Sequence, residues 1–110
     1  MSKYGNTKCV ASDGKSFASM RERKRYEDLL VLWRMGKITC LECQRRYELI
    51  PKQEGERACI YIADFVYHDI AEGKKLGALH VEDTKGFRTK DYIIKRKLML
   101  WVHKIRIEEL

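Results

Sequence analysis

Two short stretches constrain this chain more than any other feature: Tyr61-Ile62-Ala63-Asp64-Phe65 and Val81-Glu82-Asp83-Thr84-Lys85-Gly86. Each is apolar and β-branched around its charges, so each predicts a strand whose neighbouring side chains point to opposite faces. In the first, Ile60, Ile62, Asp64 and Val66 then share a face. In the second, Val81, Asp83 and Lys85 share one face, with Glu82 and Thr84 on the other. A carboxylate among isoleucines is costly to bury unless a metal ion or a lysine pairs with it. The pattern therefore asks for a partner.

Between the strands, Asp69 and the pair Glu72-Gly73 predict an antiparallel hairpin. In a register that opposes Asp64 to Val81, Asp64 and Asp83 become diagonal neighbours, roughly 7–8 Å apart along the backbone. A slip of one residue sends them to opposite faces. Two carboxylates that close can share one hard divalent cation, with Lys85 standing beside it. This arrangement suits phosphodiester hydrolysis, in which a metal polarises the phosphate and lowers the pKa of its bound water.

Asp64 and Asp83-Thr84-Lys85 resemble the D…(D/E)-X-K signature of the PD-(D/E)XK nuclease superfamily. Further blocks resemble a small phage and prophage family of endonuclease-like proteins. These are Lys3-Tyr4, Phe17-Ala18-Ser19-Met20-Arg21-Glu22 with Tyr26, Tyr61 to Phe65, and Val81 to Gly86. Ala63 stands where the superfamily signature has proline. The Glu22…Asp64…Glu82-Asp83-Thr84-Lys85-Gly86 order is also similar to phage Holliday-junction endonucleases of the endonuclease I type.

The resemblance implies an α/β fold with a restriction-endonuclease-like αβββαβ core, a central mixed sheet flanked by helices. It further implies hydrolysis of DNA, branched or junction DNA included, with Mg²⁺ as cofactor and Mn²⁺ as substitute. Asp64, Asp83 and the carbonyl of Thr84 would hold the ion, Glu22 would bind it directly or through water, and Lys85 would orient the attacking water or stabilise charge on the phosphate. RNA is not separated from DNA by anything in the sequence. The competing reading is a nucleic-acid- or partner-binding module that keeps the nuclease fold without turnover.

With 110 residues and 45% hydrophobic content, the chain predicts one folded domain, 1–110, with an N-terminal arm and hairpin over 1–17. No apolar run reaches the ~18 residues of a membrane span, and the first residues lack a signal-peptide core. A cytoplasmic location is expected, in a bacterial host if the resemblance to phage and prophage proteins holds. The net charge is +7, and from Lys85 to Arg106 eight basic residues face Asp91 alone. Such a stretch favours a polyanion, although a solvated helix face would look the same. Arg88, Lys90, Lys95, Arg96 and Lys97 are candidate phosphate contacts, as are Arg21 and Arg25. Four cysteines include Cys40-x-x-Cys43, but no second pair completes a zinc site, so reduced thiols are expected.

In chain order, Lys8 to Phe17 predicts a hairpin turning at Asp13-Gly14, then a helix from Ser19 to about Met35 ended by Gly36. Ser19 and Glu22 fit a capping box, yet Glu22, Tyr26, Leu29, Leu30 and Trp33 also lie on the apolar face. Glu22 can thus be a cap, a ligand, or both. Strand is expected over Thr39–Ile50 with a break near Gln44-Arg45, and a surface loop over Lys52–Glu56. Arg57–Tyr67 is expected to be the longest and most central strand. A second helix follows over Thr89–His103 with Ile94, Leu98 and Trp101 inward, then a last strand over Ile105–Ile107. His80 is a remote general-base candidate, and His68 and His103 are not expected to be catalytic. Cutting both strands, or a symmetric junction, would favour a homodimer.

Overall fold

The computed structural model describes residues 9–71 and 76–110. Lys3-Tyr4, Lys8, and the turn residues Glu72-Gly73 lie outside them. The elements run α1 (Met20–Arg34), β1 (Ile38–Ile50), β2 (Cys59–Asp69), β3 (Leu79–Asp83), α2 (Lys90–Leu98), a π-helical turn (Met99–His103) and β4 (Glu108–Glu109). The class is α/β, with a mixed four-stranded sheet in the order β1-β2-β3-β4. β4 pairs parallel to β3, with Glu82 opposite Glu108 and Asp83 opposite Glu109. No described helix is long and apolar enough to cross a membrane. The chain divides into two compact units, Met1–Leu41 with His68–Ala78, and Glu42–Tyr67 with Leu79–Leu110.

The first unit opens on the expected hairpin. Val10 bridges Ser16, and Phe17 N–H donates to the Cys9 carbonyl at 2.9 Å. Asp13 fixes the turn by accepting from Lys15 N–H, while Gly14 takes the positive φ of 92° that the reversal needs. α1 begins at Ser19, whose hydroxyl accepts from Glu22 N–H at 3.1 Å. It buries Tyr26, Leu29 and Leu30, but Trp33, expected on the same face, is 43% exposed. The helix ends in a Schellman motif: Gly36 N–H donates to Trp33 O and Lys37 N–H to Leu32 O, with Gly36 at φ 74°.

The second unit has a core of its own. Tyr47, Leu49, Tyr61, Ala63, Val66, Val81, Tyr92, Met99 and Ile107 form one buried cluster, with Cys59, Ile93, Leu98 and Ile105 packed against it. β1 runs unbroken, but Gln44 sits at φ 57° and Cys40 at φ 58°, so the irregularity expected near Gln44 is a local left-handed kink. At 13 residues β1 is longer than the 11-residue β2, contrary to expectation, although β2 is interior as anticipated.

β2 departs from strict alternation. Tyr61 and Ala63 are buried and Ile62 is 42% exposed, yet Phe65, Val66 and Tyr67 are buried in succession. Val66 joins the same cluster as Tyr61 and Ala63, so the strand changes face by one residue around Asp64. The expected face of Ile60, Ile62, Asp64 and Val66 therefore does not exist. Asp64 lies half-buried at the slip rather than among isoleucines.

The C-terminal elements also differ from expectation. α2 stops at Leu98, Ile94 is 57% exposed and Trp101 75% exposed, while Tyr92 and Met99 fill the core. The π turn that follows ends at Lys104, at φ 61°. The last strand forms at Glu108–Glu109, beyond the predicted Ile105–Ile107, because Ile107 is buried in the core cluster instead.

Gly36→Ala tests the helix stop. A Cβ there meets nothing within 4 Å, so the cost is backbone strain alone, about 1–2 kcal/mol for an alanine held left-handed. Urea unfolding is expected to show a lower midpoint at unchanged slope.

Candidate active site

The end of β3 gathers charges where strands normally carry apolar side chains. Val81, Glu82 and Asp83 are each 1% exposed, and Thr84 is 5% exposed. Burial of two adjacent carboxylates is sustained by one tyrosine on each face. Tyr67 donates its hydroxyl to Glu82 Oε2, and Tyr61 donates to Asp83 Oδ2 at 2.7 Å. Tyr61 and Tyr67 are six residues apart in β2, and the change of face near Asp64 is what lets them serve opposite faces of β3.

Past Asp83 the chain turns, and both predicted aspartates hold that turn. Asp83 Oδ1 accepts from Lys85 N–H at 2.9 Å. Asp64 Oδ2 accepts twice from Thr84, from its N–H at 2.8 Å and its hydroxyl at 2.9 Å, while Oδ1 lies 3.5 Å from Gln44 Nε2. The ammonium of Lys85 stands 3.7 Å from Asp83 Oδ2 and 5.2 Å from the centre of the Tyr92 ring. Two carboxylates and a lysine are thus bound to the successive residues 83–85. Lys85 does not share a buried face with Asp83, since its side chain is 42% exposed.

A cavity of about 250 Å³ opens beside this turn, lined among others by Tyr61, Ile62, Lys85, Thr89, Tyr92 and Lys95. Its tyrosines are held rigidly. Burial, and then donation to Asp83, push the Tyr61 hydroxyl well above the usual phenol range. Burial and donation to Glu109 raise Tyr92 likewise. Both remain protonated donors at any ordinary pH. Glu109 accepts from Tyr92 at 2.6 Å and from Arg96 at 3.1 Å, and pairs with Arg88 at 2.9 Å. The tyrosine's hydrogen bond and then the guanidinium of Arg96 hold the Glu109 carboxyl below its ordinary value.

Among the other candidates, Glu22 belongs to the first unit, half-buried in the first turn of α1. Arg21 is exposed and Arg25 half-buried there. Lys90 and Lys97 are exposed, and Lys95 lines the cavity. Arg88 and Arg96, predicted to meet phosphates, both engage Glu109. His80 stacks on Tyr67 at 5.0 Å and lies 2.6 Å from Glu108, while His103 donates to the Glu48 carbonyl. Sequence reasoning passed over Tyr61, Tyr92 and Glu109. A tyrosine inside an otherwise apolar strand was the available signal, because its hydroxyl must find a partner when buried.

Oxygen donors of this kind suit a hard divalent cation. Among the described residues Asp64 Oδ1 is approached by Gln44 at 3.5 Å, and a carboxylate oxygen that already accepts one donor keeps a further lone pair. Mg²⁺ retains several waters and is commonly held by one or two carboxylates, so the pair Asp64 and Asp83 fits it. Among the described residues, no group of three or more His, Cys, Asp and Glu side chains is placed to hold a metal.

Residues 1–107 match a family described as "Protein of unknown function (DUF1064)". The chain belongs to this family. The match takes in both aspartates, the turn at Thr84 and Lys85, and α2, while Glu109 lies just beyond it. No curated protein and no solved structure matches the chain.

Two substitutions test the site's electrostatics. Tyr61→Phe removes a donor from a carboxylate that is 1% exposed and is expected to cost about 1–3 kcal/mol in denaturant unfolding. Because Glu109 is depressed in the folded state, its contribution is fully present above its unfolded value of 4.5 and is lost as the pH falls toward the folded one. Glu109→Gln is therefore expected to flatten the fall in melting temperature below about pH 4.5, relative to wild type.

Proposed function

We propose that this protein is a Mg²⁺-dependent endonuclease of the PD-(D/E)XK kind, hydrolysing phosphodiester bonds in DNA, with the restriction-endonuclease-like core as its fold. The observation that carries this reading is the attachment of Asp64, Asp83 and Lys85 to one three-residue turn at the end of β3. The order of elements, helix, three strands, helix, strand, supports the fold assignment.

In this reading Asp64 and Asp83 would hold the ion, which would supply Lewis-acid stabilisation of charge on the phosphate. Lys85 lies against Asp83 with its side chain partly exposed, positioned to stabilise charge developing on a phosphate oxygen. The ring of Tyr92 beneath it limits the directions that ammonium can take. Tyr61 fixes the rotamer of Asp83 by donating to one oxygen and leaving the other toward the turn. Basic residues of α2 give affinity for the backbone without reading bases. The resemblance adds Glu22 as a further ligand and a homodimer for paired cuts.

Cleavage of branched and duplex DNA with Mg²⁺ or Mn²⁺, with RNA in parallel, is the test. Asp83→Ala and Lys85→Ala are each expected to lower the rate by roughly 10²-fold or more. Glu22→Gln reports the share of Glu22. Unchanged rates in both the Asp83 and Lys85 variants would remove the assignment.

A second reading, a binding module without turnover, is favoured by the use of Asp64 and Asp83 as acceptors that hold the turn, a structural role that needs no ion. Titration with Mg²⁺ and Mn²⁺ separates the two. A metal-holding site raises the melting temperature with ion concentration, and a pure binder shows no rise.

A further inference from the structure

The outer side of α2 and the π turn carries large apolar groups that the core does not use. Trp101 is 75% exposed and Ile94 57% exposed, although a tryptophan is ordinarily among the most buried of residues. Lys90, Ile94, Lys97 and Trp101 follow one another at intervals of four, three and four, which places them along one stripe of a helix. Lys90 and Lys97 are exposed as well. The stripe thus alternates cation, apolar group, cation, indole.

A cation lies beside the indole. Lys104, in the left-handed conformation that closes the π turn, donates its ammonium to the Trp101 carbonyl at 2.8 Å. The same ammonium lies 4.9 Å from the Trp101 ring centre. A cation therefore covers one side of the ring, while the exposure shows that much of the indole remains open to solvent.

Between Asp91 and Glu108 the sequence has no acidic residue, against Lys95, Arg96, Lys97, Lys104 and Arg106. A second copy of the chain laid on this face would set cation against cation. A membrane-surface helix segregates its apolar side chains from its basic ones, whereas here they alternate along a single stripe. Interleaved cations and an exposed flat ring match a polyanion that has planar groups of its own. In a duplex those groups are stacked inside, so the partner has its bases free.

We propose that this face binds a single-stranded segment of nucleic acid, with a base stacked on Trp101 and phosphates at Lys90 and Lys97. This rests on the reading of the protein as one that acts on nucleic acid and narrows the substrate to one with an unpaired stretch, such as a flap, gap or opened junction. Stacking on an aromatic ring is tolerant of sequence, so no base preference is expected from it.

The experiment is fluorescence titration of the Trp33→Phe protein, in which Trp101 is the sole indole, with a ~12-nucleotide oligothymidylate in EDTA. Trp33 is 43% exposed, so phenylalanine in its place costs little packing. Binding is expected to quench Trp101, and to favour the single strand over a blunt duplex of equal length. Trp101→Ala, followed by anisotropy of a labelled oligonucleotide, is expected to weaken binding roughly tenfold or more, and Trp101→Phe to restore most of it. Lys97→Gln should reduce the dependence of binding on salt by about 0.7 in log–log slope. Wild-type affinity in Trp101→Ala overturns the proposal, as does an emission that ignores the oligonucleotide but shifts to the blue on phosphatidylserine vesicles. Because metal and cleavage play no part, quenching in a protein that cuts nothing rejects hydrolysis and keeps this surface.

Discussion

Asp83 is a carboxylate sealed inside the protein, and the rest of the second unit is arranged to make that tolerable. A charge out of water needs donors in place of its hydration shell. Asp83 receives the Tyr61 hydroxyl on one oxygen, the Lys85 amide on the other, and the nearby Lys85 ammonium. Each donor has a support of its own: Tyr61 belongs to the core cluster, and Lys85 lies over Tyr92, which belongs to it too. The turn that brings the Lys85 amide into reach is held in turn by Asp64. Packing and electrostatics are not separable here, because the aromatic rings that fill the core are the groups that solvate the charge.

Much of the fold was legible. The hairpin at Asp13-Gly14, the capped start of α1 at Ser19, its stop at Gly36, and the Thr89 start of α2 all depend on local chemistry that a few neighbouring residues specify. Asp64 and Asp83 both accept from the Thr84-Lys85 turn, through contacts that a face-by-face reading of the strands does not contain. The face change in β2 was not legible. Strict alternation is the only guide a sequence offers inside a strand, and nothing about Ala63-Asp64-Phe65 announces a slip. That single residue of offset explains both failures nearby, the isoleucine face that does not form and the opposite tyrosines that serve Glu82 and Asp83.

The helix α2 misled for a different reason. Its periodicity offers two stripes of similar hydropathy, one through Ile94 and Trp101 and one through Tyr92 and Met99, and only packing decides between them. The core took the tyrosine because its hydroxyl reaches Glu109, and the tryptophan was left outside. Glu109 in turn draws Arg88 and Arg96, so basic residues that a composition argument groups together divide into two sets. Some are structural counter-charges, and others face solvent.

The parallel pairing of β4 with β3 bears on how the protein comes to be assembled. Leu110 N–H donates to the main-chain oxygen of Asp83, and Glu82 and Asp83 sit opposite Glu108 and Glu109, with a helix and a π turn in between. Closing so long a connection is entropically late relative to local turns. Until it closes, β3 is an edge with unsatisfied main-chain groups, carrying charges that are not yet enclosed. The final strand therefore acts as a latch that closes the acidic edge of the sheet, beside the tyrosine donors already supplied by β2.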